Sequence, residues 1–209
     1  MSDVIDIETA AAENDAEIFS LLASFYNMNP ELETVVAMRG LTPELVNETE
    51  VAEALGKIKS FAEKFNEKDE DDILAVKRDW TKLFRGIAPD YGPKAPYEEL
   101  YLKKRDVAGH LKKLTEIYLE AGYTTYAEHL NRQDYIGIQL DFIGTLGLLR
   151  MDALEKGDDE LYVKLTDTSE NFLNEHIKVW FESFYRRAQE HIQTDYFRGV
   201  LDLTLLMLR

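Results

Sequence analysis

The sequence predicts an all-α fold, a bundle of about eight to ten helices, on three observations. Apolar residues return at threes and fours along nearly the whole chain, and no alternating strand pattern of useful length interrupts them. The stretch Tyr135 to Leu149 is apolar almost all round, as a helix walled in by other helices must be. Glycine and proline fall where those patterns should stop. With 209 residues, 45% of them hydrophobic, a chain of this size buries roughly 70% of its unfolded surface and builds a real core. We read residues 1–209 as a single domain, with lobes of about 14–130 and 135–209 joined by a hinge near Leu130–Asp134.

Taken in order, Ile18, Phe19, Leu21, Leu22, Phe25 and Tyr26 form the first stripe. Asn14 with Glu17 three residues on reads as its capping box, and Asn29-Pro30 as its stop. Thr42-Pro43 reads as a cap followed by proline at the first helical position, ahead of Val51, Leu55, Ile58, Ala62 and Phe65. Glu67 to Asp72 reads as a solvated acidic connector, and Ile73, Val76, Trp80, Leu83 and Phe84 as the next helix, ended by Gly86. Pro89, Pro93 and Pro96, with Gly86 and Gly92, mark Gly86 to Tyr97 as an ordered loop. Val107, Leu111, Leu114 and Tyr118 mark a further helix stopped by Gly122, and a break follows at Leu130 to Gln133. In the central helix, Gly137, Gly144 and Gly147 allow close neighbours, and Gly157 closes it. Asp159 to Ile192, with a break inside, and Asp195 to Leu208, capped by Thr194, complete the chain.

Composition excludes several classes. The formal net charge of −16 repels nucleic acid and anionic lipid and favours basic partners. The absence of cysteine removes disulfides, thiolate metal sites and cysteine nucleophiles, and it suits a cytoplasmic location. Met1 to Asp15 is acidic and lacks the basic and apolar regions of an export signal. No run approaches the roughly 20 apolar residues that span a bilayer.

Catalytic and metal patterns are absent by spacing. A di-iron bundle needs Glu three residues before His, whereas Val107, Tyr126, Leu173 and Ala188 precede His110, His129, His176 and His191. Neighbouring pairs such as Glu128-His129 and Glu175-His176 diverge by about 100° on a helix and share no metal easily. No phosphate-cradling loop, HExxH or GxSxG occurs. The reading is a non-enzyme with no metal and no cofactor.

Three segments combine aromatics, turn residues and helix ends: Trp80-Thr-Lys-Leu83-Phe84-Arg-Gly86, Ala95-Pro96-Tyr97-Glu98, and Asn131-Arg132-Gln133-Asp134-Tyr135 running on through Gln139, Leu140 and Phe142. With Phe172-Leu173, His176, Trp180, Phe184 and Thr194-x-Tyr196-Phe197-Arg198, they resemble the TorD/DmsD/NarJ-type family of redox-enzyme maturation chaperones over roughly Phe19 to Thr204. Tyr135, Gln139 and Ile143 depart from the family's hinge His, Glu and Met, and Gln133 stands where Pro or Glu is usual.

The resemblance implies a cytoplasmic chaperone that binds the twin-arginine signal peptide of a molybdopterin-dependent oxidoreductase subunit. It would hold that apo subunit for cofactor insertion before export. The implied peptide-binding residues are Trp80, Leu83, Phe84, Pro96, Tyr97, Asp134, Tyr135 and, less closely matched, Tyr26; Gly86, Gln133, Gln139, Leu140 and Phe142 are implied as hinge and motif positions. The residue chemistry suits this role: Trp80, Phe84, Tyr97 and Tyr135 offer apolar and cation-accepting faces, and Glu98 or Asp134 offers a bidentate carboxylate for arginine. On pattern alone, Trp80, Leu83 and Phe84 also fit an ordinary buried face, Asp134 fits a helix cap, and His176 with Trp180 fits a packed pair. The competing function is a helical adaptor that binds a folded redox-enzyme subunit without its leader. A monomer and a hinge-swapped dimer both remain open, and neither nucleic acid nor a membrane is expected as partner.

Overall fold

The computed structural model describes residues 2–88, 90–103, 105–124 and 131–209, with side chains from residue 7 onward. In chain order the helices are α1 (Ser2–Asn27), α2 (Leu32–Ala37), α3 (Thr49–Lys64), α4 (Glu70–Phe84), α5 (Glu98–Leu102), α6 (Val107–Glu120), α7 (Ile136–Lys156), α8 (Asp159–Phe172), α9 (Lys178–Gln189) and α10 (Asp195–Met207). Short 3-10 turns occupy Met38–Gly40 and Pro43–Leu45, and a π-helical turn, Leu173–Ile177, joins α8 to α9. Among the described residues no strand forms, and Tyr97 pairs with Tyr135 in an isolated antiparallel bridge. The fold is all-α, as predicted. No helix among these residues is long and apolar enough to cross a membrane.

Two compact units are each assembled from separated stretches: Met1–Asn27 with Tyr97–Val179, and Met28–Pro96 with Trp180–Arg209. Asp134 and Tyr135 lie inside the first unit, while Leu130 at the expected hinge, Pro89 and the Glu128-His129 pair fall outside the described residues.

In the first unit α7 is the spine, with Ile136, Ile138, Leu140, Phe142, Ile143 and Leu146 all fully buried. α1 lies along it through Ala12, Ala16, Phe19 and Leu22. Backbone approaches backbone most closely at Gly147, where an added Cβ would stand 2.6 Å from Ala16 N and 2.8 Å from Ala12 O. The two helices therefore meet backbone to backbone. Arg150 and Asp15 form an ion pair along the same seam. On the other flank Tyr118, Phe142 and Phe172 form an aromatic cluster, Phe142 lying 4.8 Å from both Tyr118 and Phe172 between ring centroids.

In the second unit α3 packs on α10 through Ala54, Ile58 and Ala62, and Gly199 leaves room for the backbone of Ala54. Phe84 closes α4 against Phe184 and Phe197, at 6.3 and 5.4 Å between ring centroids. Asp79 of α4 latches the turn before α10. Its carboxylate accepts the Gln193 N–H at 3.1 Å, the Thr194 N–H at 2.8 Å and the Thr194 hydroxyl at 2.7 Å. Burial pushes the Asp79 carboxyl above its ordinary value, against the opposing pull of the Thr194 and Gln193 donors and the charge on Lys82. A raised folded value means that the folded state holds the proton more tightly than the unfolded chain does. The Asp79 contribution to stability is therefore fully present below about pH 3.8, the ordinary value. It declines as pH rises through the higher folded value. Urea midpoints taken at intervals across that window are expected to show this downward slope in the native chain and to lack it in Asp79→Asn.

Several boundaries differ from the sequence expectation. α1 begins at Ser2, so Asn14 and Glu17 are mid-helix and form no capping box. The run Ala10-Ala11-Ala12 is strongly helix-forming, and Ala12 and Ala16 find a partner in Gly147. Pro43 opens only a 3-10 turn, Thr42 makes no cap bond, and α3 starts later, at Thr49. Part of the acidic connector is helical: Asp69 caps α4 by accepting the Asp71 N–H, and Glu70, Asp71 and Asp72 sit in the first turn, where the dipole favours them. Other stops hold as read. Gly86, Gly122 and Gly157 take positive φ of 58°, 77° and 67° just past the ends of α4, α6 and α7.

Candidate functional site

The first unit gathers the end of the proline loop and the segment before α7 into one network. The Tyr97–Tyr135 bridge brings the two stretches together, and the Glu98 N–H donates to Asp134 O at 3.0 Å. Asp134 then turns its side chain to the start of α5, accepting the Glu99 N–H at 3.2 Å. The N-cap of α7 is Tyr135, so Asp134 steadies α5 and does not cap the central helix. Arg132 lies over the outside of this joint. Its guanidinium donates to both Asp134 oxygens at 3.2 Å and to Glu99 at 3.0 Å, and it stands 4.7 Å above the centre of the Tyr97 ring. The Tyr97 hydroxyl donates to Asn131 at 3.1 Å, and its ring lies 5.1 Å from that of Tyr135.

Electrostatics follow from this packing. Burial raises the Asp134 carboxyl above its ordinary value, with Arg132 pulling the other way. Burial alone would lower Arg132, but its bond to Glu99 and the neighbouring carboxylates raise it, so the guanidinium is held charged. Tyr97, Arg132 and Glu99 are half-buried, and this is where the network reaches solvent.

Behind this rim Tyr26, Tyr135, Gln139, Leu140 and Phe142 are core. Tyr135 is 0% exposed, and its hydroxyl donates to Tyr26 O at 2.9 Å; Tyr26 is equally buried. Gln133 supplies a carbonyl to the Tyr118 hydroxyl, and Leu140 and Phe142 lie in the α7 spine. In the second unit Leu83, Phe84 and Pro96 are buried, and Trp80 is 7% exposed with Arg85 set 5.6 Å from its ring. Gly86 folds the proline loop back: a Cβ there would meet Ala95 N at 2.9 Å. Of the four aromatics expected to line a groove, Phe84 and Tyr135 are buried, Trp80 is 7% exposed and Tyr97 is half-buried. Buried aromatics and groove aromatics share the same helical spacing, so sequence pattern does not separate them.

Glu98 is likewise not a rim carboxylate. It is wholly buried, and its oxygens face Gln139 Nε2 at 2.8 Å, His176 Nδ1 at 3.3 Å and His110 Nε2 at 3.3 Å. Spacing along the chain set these histidines aside as ligands, yet the fold brings two of them to one carboxylate. The partners sit on different elements, Glu98 and His176 being 78 positions apart, so no local motif announces them. His176 packs tilted against Phe172 at 4.9 Å between ring centroids.

Residues 46–186 match the family described as the nitrate reductase delta subunit, well over half of the chain. The chain belongs to that family. The matched span runs from just before α3 into α9 and contains all three motif segments, in line with the kinship read from the sequence. A protein from Aliivibrio fischeri named Chaperone protein TorD is 25% identical over 207 residues, covering 96% of this chain and 94% of its own length. A protein of the same name from Aliivibrio salmonicida is 27% identical over 163 residues, covering 75% of this chain and 72% of its own.

Proposed function

We propose that this chain is a non-catalytic cytoplasmic chaperone for a molybdopterin-dependent oxidoreductase subunit, and that it recognises the subunit's twin-arginine leader at the Tyr97 rim. Family membership and the relatives' name support the chaperone role. The observation that carries leader recognition is the guanidinium of Arg132, held over the Tyr97 ring beside Asp134 and Glu99. A ring face with two carboxylates at its edge is a seat for a planar cation, and an incoming arginine takes it by displacing Arg132. The leader's apolar stretch packs beside that seat, against the half-buried Tyr97 ring. Burial of apolar surface there, at about 25 cal/mol per Å², sets affinity, while the net charge of −16 speeds encounter with a cationic segment.

Calorimetry with the isolated leader and with the mature subunit lacking it tests the proposal. The leader is expected to bind with micromolar or tighter Kd, and Tyr97→Leu is expected to weaken it about tenfold, the equivalent of roughly 1.4 kcal/mol. A second reading is favoured by the sealing of Leu83, Phe84 and Tyr135: an adaptor that grips a folded subunit by its outer surface. Binding of the mature subunit with no heat from the leader would select that reading.

A further inference from the structure

The Glu98 cluster has no part in the leader seat, and its chemistry is distinctive. Glu98 opens α5, a position where a glutamate ordinarily reaches into water, yet here it is 0% exposed. A buried carboxylate is costly without compensating partners. Those the fold supplies are two imidazoles, from the first turn of α6 and from the π-helical turn, with Gln139 of α7 donating to the same carboxylate. The π turn sits within the run from Asp159 to Gln189, and its extra residue resets the register that aims His176. Turns of this kind recur where a helix carries a functional side chain.

We propose that Glu98, His110 and His176 form a site for one divalent transition-metal ion. One donor atom from each lies within 4.8 Å of the others, and both histidine–carboxylate approaches are 3.3 Å. Ligands about 2.0 to 2.2 Å from a tetrahedral zinc-like ion stand roughly 3.3 to 3.6 Å apart, so shifts of about an ångström complete the geometry. Two nitrogens and one oxygen suit Zn2+, Fe2+, Co2+ or Ni2+, while Mg2+ and Ca2+ require mostly oxygen ligands. Three protein ligands leave a coordination position for water. Gln139 Oε1 is a buried acceptor with no hydrogen-bond partner among the described residues, and its own amide nitrogen already steadies the Glu98 carboxylate. An ion here ties α5, α6 and the π turn together, one residue from Tyr97.

The test uses the full chain, stripped with chelator and titrated with Zn2+. One equivalent is expected to be retained through desalting, with a thermal midpoint that rises with free zinc. His110→Ala and His176→Gln are each expected to lower affinity at least tenfold, while His191→Ala leaves it unchanged. His176 packs on Phe172, so a variant that loses structure is replaced by a spectroscopic readout on the native chain. Co2+ should give the visible bands of a four- or five-coordinate nitrogen–oxygen site, and Glu98→Gln should lose them. No stoichiometric retention, a Co2+ spectrum of the free aquo ion, or equal retention by the double histidine variant would overturn the site.

Discussion

Replacing Gly147 by alanine is expected to destabilise the first unit by about 2 kcal/mol, although the same exchange in an open helix stabilises by about 1 kcal/mol. The sign turns on what the new methyl meets. At Gly147 it meets Ala16 N at 2.6 Å and Ala12 O at 2.8 Å, backbone atoms of α1 that cannot rotate aside. α1 must then lift from α7, loosening the buried row Ala12, Ala16, Phe19 and Leu22. Gly56 in α3 has nothing within 4 Å of its added Cβ and makes the matched control. Gly56→Ala should raise the thermal midpoint slightly while Gly147→Ala lowers it, at about 2 to 4 °C per kcal/mol for a chain of this size. Equal and positive shifts at both positions would mean that the α1–α7 seam is looser than described.

Asp79→Ala is expected to cost more, about 3 kcal/mol, by stranding the N–H groups of Gln193 and Thr194 in a buried turn. Each buried donor left without a partner costs about 1 to 3 kcal/mol, and the freed Thr194 hydroxyl adds to this. The loss falls on the joint between α4 and the start of α10, so hydrogen exchange should speed up at Gln193 through Phe197 before the rest of the second unit. Thr194→Val removes only the hydroxyl and should cost about 1 kcal/mol. A similar cost for both variants would show that the backbone donors find other partners.

What could be read from sequence divides along physical lines. Helix stops were legible because Gly86, Gly122 and Gly157 answer a local demand for positive φ, visible one residue at a time. The central burial of α7 was legible because a helix apolar on every face has no solvent side to offer. The start of α1 was not, because its first half is held by Gly147, far along the chain, rather than by a capping residue nearby. The order of motifs singled out the segments that meet at the Tyr97–Tyr135 bridge. It did not tell Tyr97, which reaches solvent, from Tyr135 beneath it, since both belong to one aromatic pattern. Arg132 went unnoticed as the cation on that ring, and Glu98, read as a candidate carboxylate for arginine, is wholly buried. Convergence of Glu98, His110 and His176 is a property of tertiary structure alone.

The proposed leader recognition turns on the Tyr97 rim preferring a planar guanidinium to a point charge. Affinities of a leader bearing an arginine pair and of the same leader with a lysine pair, measured side by side at physiological salt, test that preference directly. The expected result is arginine binding about tenfold tighter to the native chain, with the ratio falling toward one in Tyr97→Leu. Equal affinity for both leaders in the native chain, or a ratio untouched by the Tyr97 exchange, would contradict it.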